Sequence, residues 1–295
     1  MKIISLSLYS TQVFLRFFKG ARPSARHKVG ALDSIFLNNS FCKRLIFGKK
    51  ECAGRNNLGL ITSHHRGGGV KKKTRIVDFY GRIFFLGFIL NLEYDSKRSS
   101  FIALICNWKG FISYRIAANK LKKGHFIGFA RTSNLAFYNG FFCLLKDVSL
   151  GSRIFNVETF EGSGGRVAKA AGTFCKLAKK LFKYGIMAYP SGRLKTAKLN
   201  NFCTLGRVSN LHLKITQLGI AGSARRLGHR PVVRGVAMNP VDHPHGGRTA
   251  GGRNPVSPWG RLTKYGYKRK KKRKSDALSL SFVKEFNTSK YKNLN

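Results

Sequence analysis

Acidic side chains are what this 295-residue sequence has least of: 11 Asp and Glu stand against 56 Lys and Arg, a formal net charge of +45. Self-repulsion on that scale argues against a free-standing globule and calls for a polyanionic partner, nucleic acid first. Long apolar runs are missing as well. The longest, Ile83 to Leu90 (IFFLGFIL), falls well short of the ~20 residues of a membrane-spanning helix, and it reads as one or two buried strands. No amphipathic basic helix suited to an anionic membrane surface is evident either. Cysteine pairs are a third absence. Cys42, Cys52, Cys106, Cys143, Cys175 and Cys203 are scattered singly, with no C-x-x-C and no histidine at zinc-ligand spacing. That pattern speaks against a zinc module or a disulfide framework and for reduced, mostly buried thiols in a reducing compartment.

Hydrophobic residues still make up 43% of the chain, enough for real cores, and the length suits two ordinary domains with extensions. Residues 1–50 show no sustained hydrophobic period and predict an extended basic arm. Their first 28 residues lack acids and mix apolar residues with Arg and Lys, the composition of a mitochondrial targeting peptide or of an RNA-binding arm. Opening on Met1, the segment reads as the arm of a protein made inside the organelle, and the abundance of Phe, Lys and Asn fits an AT-rich genome.

Short strand-like runs then follow: LGLITSH, TRIVDFYG, RIFFLGFILNLEY, FIALICNW and FISYRIAA, with Trp108-Lys109-Gly110 as a hairpin turn. Five short strands with Gly-rich turns predict a small β-barrel over 51–120. A second block of strand formers, FIGFA, LAFYNGFFCLL, RIFNVETF, TFCKLAKKLF and GIMAYP, predicts another barrel over 121–206. From 207 to 295 Gly and Pro become dense and apolar clusters vanish, and Asp242 is the sole acid between Gly206 and Lys274. Such a segment lacks the apolar surface to order itself, so it should be an extended basic tail shaped by its partner. The run Lys268 to Lys274 (KRKKKRK) is its extreme.

Three stretches carry the chemistry. The first, Gly54 to Lys73 (GRNNLGLITSHHRGGGVKKK), joins side-chain-free backbone, which approaches phosphate closely, to cations that neutralise it. A nucleotide-binding loop is excluded because G-x-x-x-x-G-K-[ST] is absent; the bland reading is a flexible hairpin. The second, Gly162-Ser163-Gly164-Gly165-Arg166, lacks the acid that a dinucleotide fingerprint places about twenty residues on, and reads as an RNA-facing loop. The third runs from Gly219 to Arg248. Its Asp242, His243 and His245 suggest catalysis or metal binding, yet a hydrolase needs a nucleophile and a walled pocket, and Pro244 separates the histidines without a rigid helix. Histidine packing on RNA fits better.

These blocks resemble the bacterial-type large-subunit ribosomal protein two family over roughly Gly54 to Lys274. The first matches as GRNN-x-G-x-IT-x-x-H-x-GGG-x-K followed by Arg75-Ile76-Val77-Asp78-Phe79. The second matches as Gly164-Gly165-x-x-Ala168-x-x-Ala171-Gly172-Thr173. The third runs from Arg230-Pro231 through Met238-Asn239-Pro240-Val241-Asp242-His243-Pro244-His245-Gly246-Gly247, continued by Gly252-Arg253-Asn254 and Pro258-Trp259-Gly260. Departures are the apolar Ile83–Leu90 in place of a more polar hairpin, Arg193 where an acid commonly follows Ser-Gly, and Arg248 after the glycines.

The resemblance implies an OB-like barrel followed by an SH3-like barrel, with both termini extended through ribosomal RNA, and a structural, non-enzymatic role near the subunit interface and the peptidyl-transferase region. The residues expected to meet RNA are Arg55, Asn56, Asn57, His65, Arg66, Gly67, Gly68, Gly69, Lys71, Lys72, Lys73, Arg75, Gly165, Arg166, Arg225, Arg226, Arg230, Arg234, Asn239, His243, His245, Arg248, Arg253, Trp259 and Lys264. The expected partners are large-subunit rRNA, other large-subunit proteins and the small subunit across the interface. Neither a membrane span nor homo-oligomerisation is expected, and no cofactor beyond magnesium or potassium ions bridging to RNA. The expected place is a mitochondrial ribosome, with a plastid or bacterial cytoplasm as alternatives. A metal- or histidine-dependent nuclease and a membrane-associated basic protein are the rival readings.

Overall fold

The computed structural model describes residues 3–8, 11–18, 20, 22–31, 42–81, 86–130, 138–247 and 254–263. Where an extended arm was expected, β1 (Ile3–Leu8), β2 (Thr11–Phe17) and β3 (Val29–Ala31) form an antiparallel sheet, with the single-turn helix α1 (Pro23–Arg26) between the last two. Val29 exchanges main-chain hydrogen bonds with Gln217 at 3.1 and 3.0 Å. This part of the segment therefore finds main-chain partners within the chain, which its weak hydrophobic period could not reveal.

Chain contacts define two compact units, one from Met1–Lys50, Lys71–Ser223 and Ser275–Asn295, the other from Glu51–Val70 and Ala224–Lys274. The first holds the sheets. After β4 (Ile46–Lys49) and β5 (Lys72–Arg75), which pair with each other, come β6 (Leu86–Glu93), β7 (Ile102–Asn107), β8 (Ile112–Ile116) and β9 (Phe126–Ala130). The second strand block supplies β10 (Phe142–Leu144), β11 (Arg153–Phe155), β12 (Val157–Glu158), β13 (Gly165–Val167), β14 (Cys175–Lys180), β15 (Tyr184–Ala188), β16 (Leu194–Lys198) and β17 (Phe202–Leu205). Ten of these join one ladder, β16-β15-β14-β11-β17-β10-β9-β6-β7-β8, antiparallel except at the β9–β10 step. The fold is thus mainly β, as expected. Among the described residues neither block closes its ladder into a complete barrel; instead FIGFA of the second block, as β9, pairs with β6 of the first as well as with β10 and so links the two.

Alternation decides which side of each strand is buried. On β14, Cys175 and Leu177 point inward and Lys176, Ala178 and Lys179 outward; on β6, Gly87 and Ile89 point inward and Leu86 and Phe88 outward. The result is two main cores. One gathers Phe141, Leu145, Val148, Ile154, Val157, Leu177 and Met187; the other gathers Ile89, Phe101, Ile105, Ile116, Leu121 and Ile127. Cys143 and Cys203 face each other across β10 and β17 with their sulfurs 3.8 Å apart, and burial pushes the Cys203 thiol well up. Burial likewise pushes Cys175 up to about 12. All six cysteines are free; those in the core act as small apolar residues.

Four of the scarce acids are spent inside the fold. Glu158 accepts hydrogen bonds from the amides of Gly164 and Phe202, both at 3.0 Å, tying β12 to β17. Asp95 pairs with Arg98 at 2.6 Å, and Asp78 accepts from the amides of Tyr80 and Gly81. Glu93 accepts from the Tyr114 hydroxyl at 3.0 Å with Arg75 3.5 Å away. Carboxylates used in this way cannot neutralise surface lysines and arginines, so the exterior is more cationic than the composition alone says.

Candidate nucleic-acid interface

The second unit brings together the first and third motif blocks, more than 150 residues apart in sequence. Gly67 donates to Gly228 at 3.0 Å, Val70 to Arg226 at 2.9 Å and Arg230 to His65 at 3.1 Å, with Arg66 and His229 bridged in antiparallel fashion. The glycine run earns its place in this seam. A Cβ at Gly69 would stand 2.8 to 3.0 Å from Gly228 and the Arg226 carbonyl, and one at Gly68, where φ is +70°, would meet the Arg225 guanidinium at 3.1 Å. At Gly69 the spacing to main chain is tighter than a methyl tolerates, and at Gly68 the left-handed φ disfavours a side chain, so these glycines serve chain-to-chain packing, where the sequence suggested open approach to phosphate. LGLITSH is correspondingly not a strand: Asn56 Oδ1 accepts from the amides of Leu58 and Leu60 at 3.0 and 2.9 Å, folding it into a turn.

Little else holds this unit together. Among the described residues every buried-core cluster lies in the first unit, whereas Leu58, Leu60, Ile61, Val232, Val233, Val236, Val241 and Trp259 are exposed. His243 is the exception, at 8% exposure. Its ring lies over Gly235, where an added Cβ would approach within 2.7 Å, and its Nδ1 accepts the His245 amide at 3.0 Å. Nδ1 is therefore the unprotonated nitrogen. His245 in turn sets Nε2 between the Asn254 carbonyl (3.0 Å) and the Val256 amide (3.3 Å). His65 meets the Pro231 carbonyl through Nδ1 at 2.8 Å, and His64 lies 6.1 Å from Trp259, ring to ring. The histidines thus shape the tail's turns. Arg55, Asn57, Arg66, Arg226, Arg230, Arg234 and Asn239 stand exposed on the same unit. Among the described residues no three of His, Cys, Asp and Glu converge to hold a metal, and no helix is long and apolar enough to cross a membrane.

The first unit carries the other expected residues. Lys71, Lys73 and Arg166 are exposed and Lys72 half-buried. Arg75 turns inward to Glu93. Gly165 is buried in β13, its amide donating to Phe79 at 3.0 Å and its α-carbon facing the Asn156 side chain, so the expected RNA-facing loop is at this point a packed strand. Arg248, Arg253 and Lys264 lie outside the described residues.

Of two cation groups, sequence reasoning named only Arg166. Lys169 and Arg98 lie over the Phe79 ring at 4.4 and 5.4 Å, with Arg166 on Phe160 beside them; burial and then the charges of Arg98 and Arg166 lower the Lys169 pKa. Arg153 and Arg207 share Phe174 at 5.2 and 5.3 Å, and burial and then Arg153 lower Arg207. Like charges held this close are relieved by an anion, which Arg98 already has in Asp95. Each group is assembled from strands and loops distant in sequence, so the available signal was only an Arg or Lys beside an aromatic residue, which is too common to select.

Matches to known proteins agree with this arrangement. Residues 42–128 match the family model described as Ribosomal Proteins L2, RNA binding N-terminal domain, and residues 138–260 match Ribosomal Proteins L2, C-terminal domain. Large ribosomal subunit protein uL2 of Wolbachia pipientis subsp. Culex pipiens (strain wPip) is 42% identical over 267 residues, covering 89% of this chain and 96% of its own length. The protein of the same name from Ehrlichia canis (strain Jake) is 44% identical over 238 residues, 79% of this chain and 85% of its own, and that from Orientia tsutsugamushi (strain Ikeda) is 41% identical over 278, 92% and 99%. With both domain models matched in order and bacterial relatives aligned over most of its length, the chain belongs to the large ribosomal subunit protein uL2 family.

Proposed function

We propose that the protein is a structural, non-enzymatic constituent of the large ribosomal subunit that binds rRNA and holds its folded junctions together. One observation carries this reading: the unit built from 51–70 and 224–274 exposes arginines around a glycine seam and, among its described residues, lacks a core of its own. A surface of that kind gains order and charge neutralisation together when it meets packed phosphates. The cation groups over Phe79 and Phe174 supply further phosphate contacts from the first unit. No resident cofactor is invoked; magnesium or potassium ions would bridge phosphates at the contact. Neighbouring large-subunit proteins and the small subunit complete the set of partners, and the block around His243 supports the peptidyl-transferase region by packing. The finer setting is a mitochondrial ribosome, which the acid-free, apolar-basic N-terminal stretch supports; the relatives compared are bacterial.

The test is sedimentation of native lysate. The chain should travel with large subunits and not with lipid, in the organelle fraction, and purified protein with added divalent metal should leave RNA intact. Cleaved RNA, or recovery with vesicles, would overturn the structural reading; recovery in subunits from another compartment would overturn only the mitochondrial one.

A further inference from the structure

The outer face of the β9-β6-β7-β8 ladder has no role in the reading above. Register places Phe126 opposite Phe88, Phe88 opposite Cys106 and Cys106 opposite Ile112, so these four form one row across four strands. Leu86, two residues before Phe88, shares the face, and Trp108 and Phe111 stand at the β7–β8 hairpin. Exposure is 64% for Phe126, 47% for Leu86, 39% for Phe88, 38% for Ile112, 71% for Trp108 and 60% for Phe111. The opposite faces of the same strands carry Ile89, Ile105 and Ile127 into the core, so the strands have apolar residues on both sides; farther along the outer side Ile102, Leu104 and Tyr114 are already covered, packing with Cys42, Leu45, Val77 and Leu90, and it is the Phe126-to-Ile112 row and the hairpin end that stand open. An antiparallel sheet with a solvated face alternates apolar with polar; one that is apolar on both faces is covered on both. Of the apolar run that departs from the family's pattern, Leu86 to Leu90 fall on β6; Ile83 to Phe85 lie outside the described residues.

We propose that this face docks a second protein, through a segment with apolar side chains flanked by Asp and Glu. Charge complementarity selects that chemistry. Lys109 lies over Trp108 at 4.9 Å, exposed Lys122 and Lys123 precede Phe126, and the only acid on β6 to β9 is Glu93, which is buried. The arrangement is an apolar centre with a cationic rim, the anatomy of a protein interface whose partner brings the acids. A second copy of this chain would bring its own +45 charge against the rim. RNA is disfavoured because the central row follows its two rings, Phe126 and Phe88, with the ring-free Cys106 and Ile112 and holds no cation of its own, whereas strand-tracking RNA surfaces interleave rings and cations.

Photocrosslinking tests this in the full chain within living cells. With p-benzoylphenylalanine in place of Phe126 or of Ile112, both positions should capture the same protein, at a peptide carrying apolar residues beside Asp or Glu. A double variant, Phe88→Ser with Phe126→Ser, should reduce recovery of that protein with the chain about tenfold or more, as loss of central aromatic anchors does, while rRNA recovery stays unchanged. Adducts on rRNA, on a second copy of the chain, or on nothing at either position would each overturn the proposal. Capture is scored whether or not the chain sediments with large subunits, so failure of the rRNA reading would be seen separately, in the sedimentation.

Discussion

His243 is the only buried side chain in the described part of the second unit, and its surroundings separate packing from catalysis. Removing the ring in His243→Ala empties the space over Gly235 and takes away the acceptor of the His245 amide. The local cost should be about 1–3 kcal/mol, read as faster exchange of that amide and poorer subunit assembly; His243→Gln, which keeps an acceptor, should lose less. Gly235→Ala leaves the imidazole intact but drives a methyl into it, so a packing role predicts an assembly defect there as well. Were the ring a general base, assembled subunits carrying His243→Ala or His243→Gln would instead show single-turnover peptidyl transfer slowed by ~10²–10⁴-fold. Glu93 offers a second test at this scale. Burial raises its pKa from the ordinary 4.5, only partly offset by Tyr114 and Arg75. The folded carboxyl therefore keeps its proton where the unfolded one has lost it, and stability falls as pH rises from about 4.5 through the raised value. Melting temperatures of Glu93→Gln should lack that decline; an unchanged pH profile would show that the carboxyl does not titrate in the folded protein as described.

Among the elements, the seam between 51–70 and 224–263 depends on glycine in a way a substitution can expose. Gly69→Ala should push the Gly228 turn away and cost about 1–3 kcal/mol, visible as loss of exchange protection at the Gly67 and Val70 amides. Gly222→Ala, in the short helix α2 (Ala221–Arg226), has open space around the new methyl and should instead stabilise by about 0.5–1 kcal/mol. Equal effects at the two sites would mean that close approach is not what the glycines supply. Sequence made some of these elements legible. β7, β8 and β14 are strong strand formers between clear turns, and Gly110, at φ +80°, closes the predicted Trp108-Lys109-Gly110 hairpin. β13, β16 and β17 were not picked out, because Gly165–Val167, Leu194–Lys198 and Phe202–Leu205 are short or Lys-rich and are strands only because neighbours pair with them. The site's composition was equally readable in its glycines, arginines and histidines. Their tertiary duties were not: Asn56, Gly69 and His65 are held by residues of their own unit, and Arg75 answers to Glu93, contacts that no linear pattern announces.

At the scale of the whole molecule the two units differ in what stabilises them, and this fixes how each should respond to RNA. The first has packed cores and a ten-stranded ladder; the second, among its described residues, has a main-chain seam, one buried histidine and exposed arginines. If phosphate contacts from Arg55, Arg66, Arg226, Arg230 and Arg234, together with the groups over Phe79 and Phe174, provide the missing stabilisation, affinity for an rRNA fragment must fall steeply with salt. Six to ten contacts correspond to a loss of roughly 10³–10⁵ between 50 and 200 mM, measured by filter binding; a nearly flat response would refute the phosphate role. Hydrogen exchange then locates the gain. Without RNA, amides on β10, β14 and β17 should be strongly protected while those of 51–70 and 224–263 exchange orders of magnitude faster, since local opening there exposes little apolar surface. With RNA, protection should rise mainly in the second unit, at Gly67, Val70, Arg230 and His245, because these donors sit in turns that phosphate contacts would clamp. Equal protection of both units before RNA is added would mean that the seam is self-sufficient, and that the exposed arginines serve encounter with RNA and not the order of the tail.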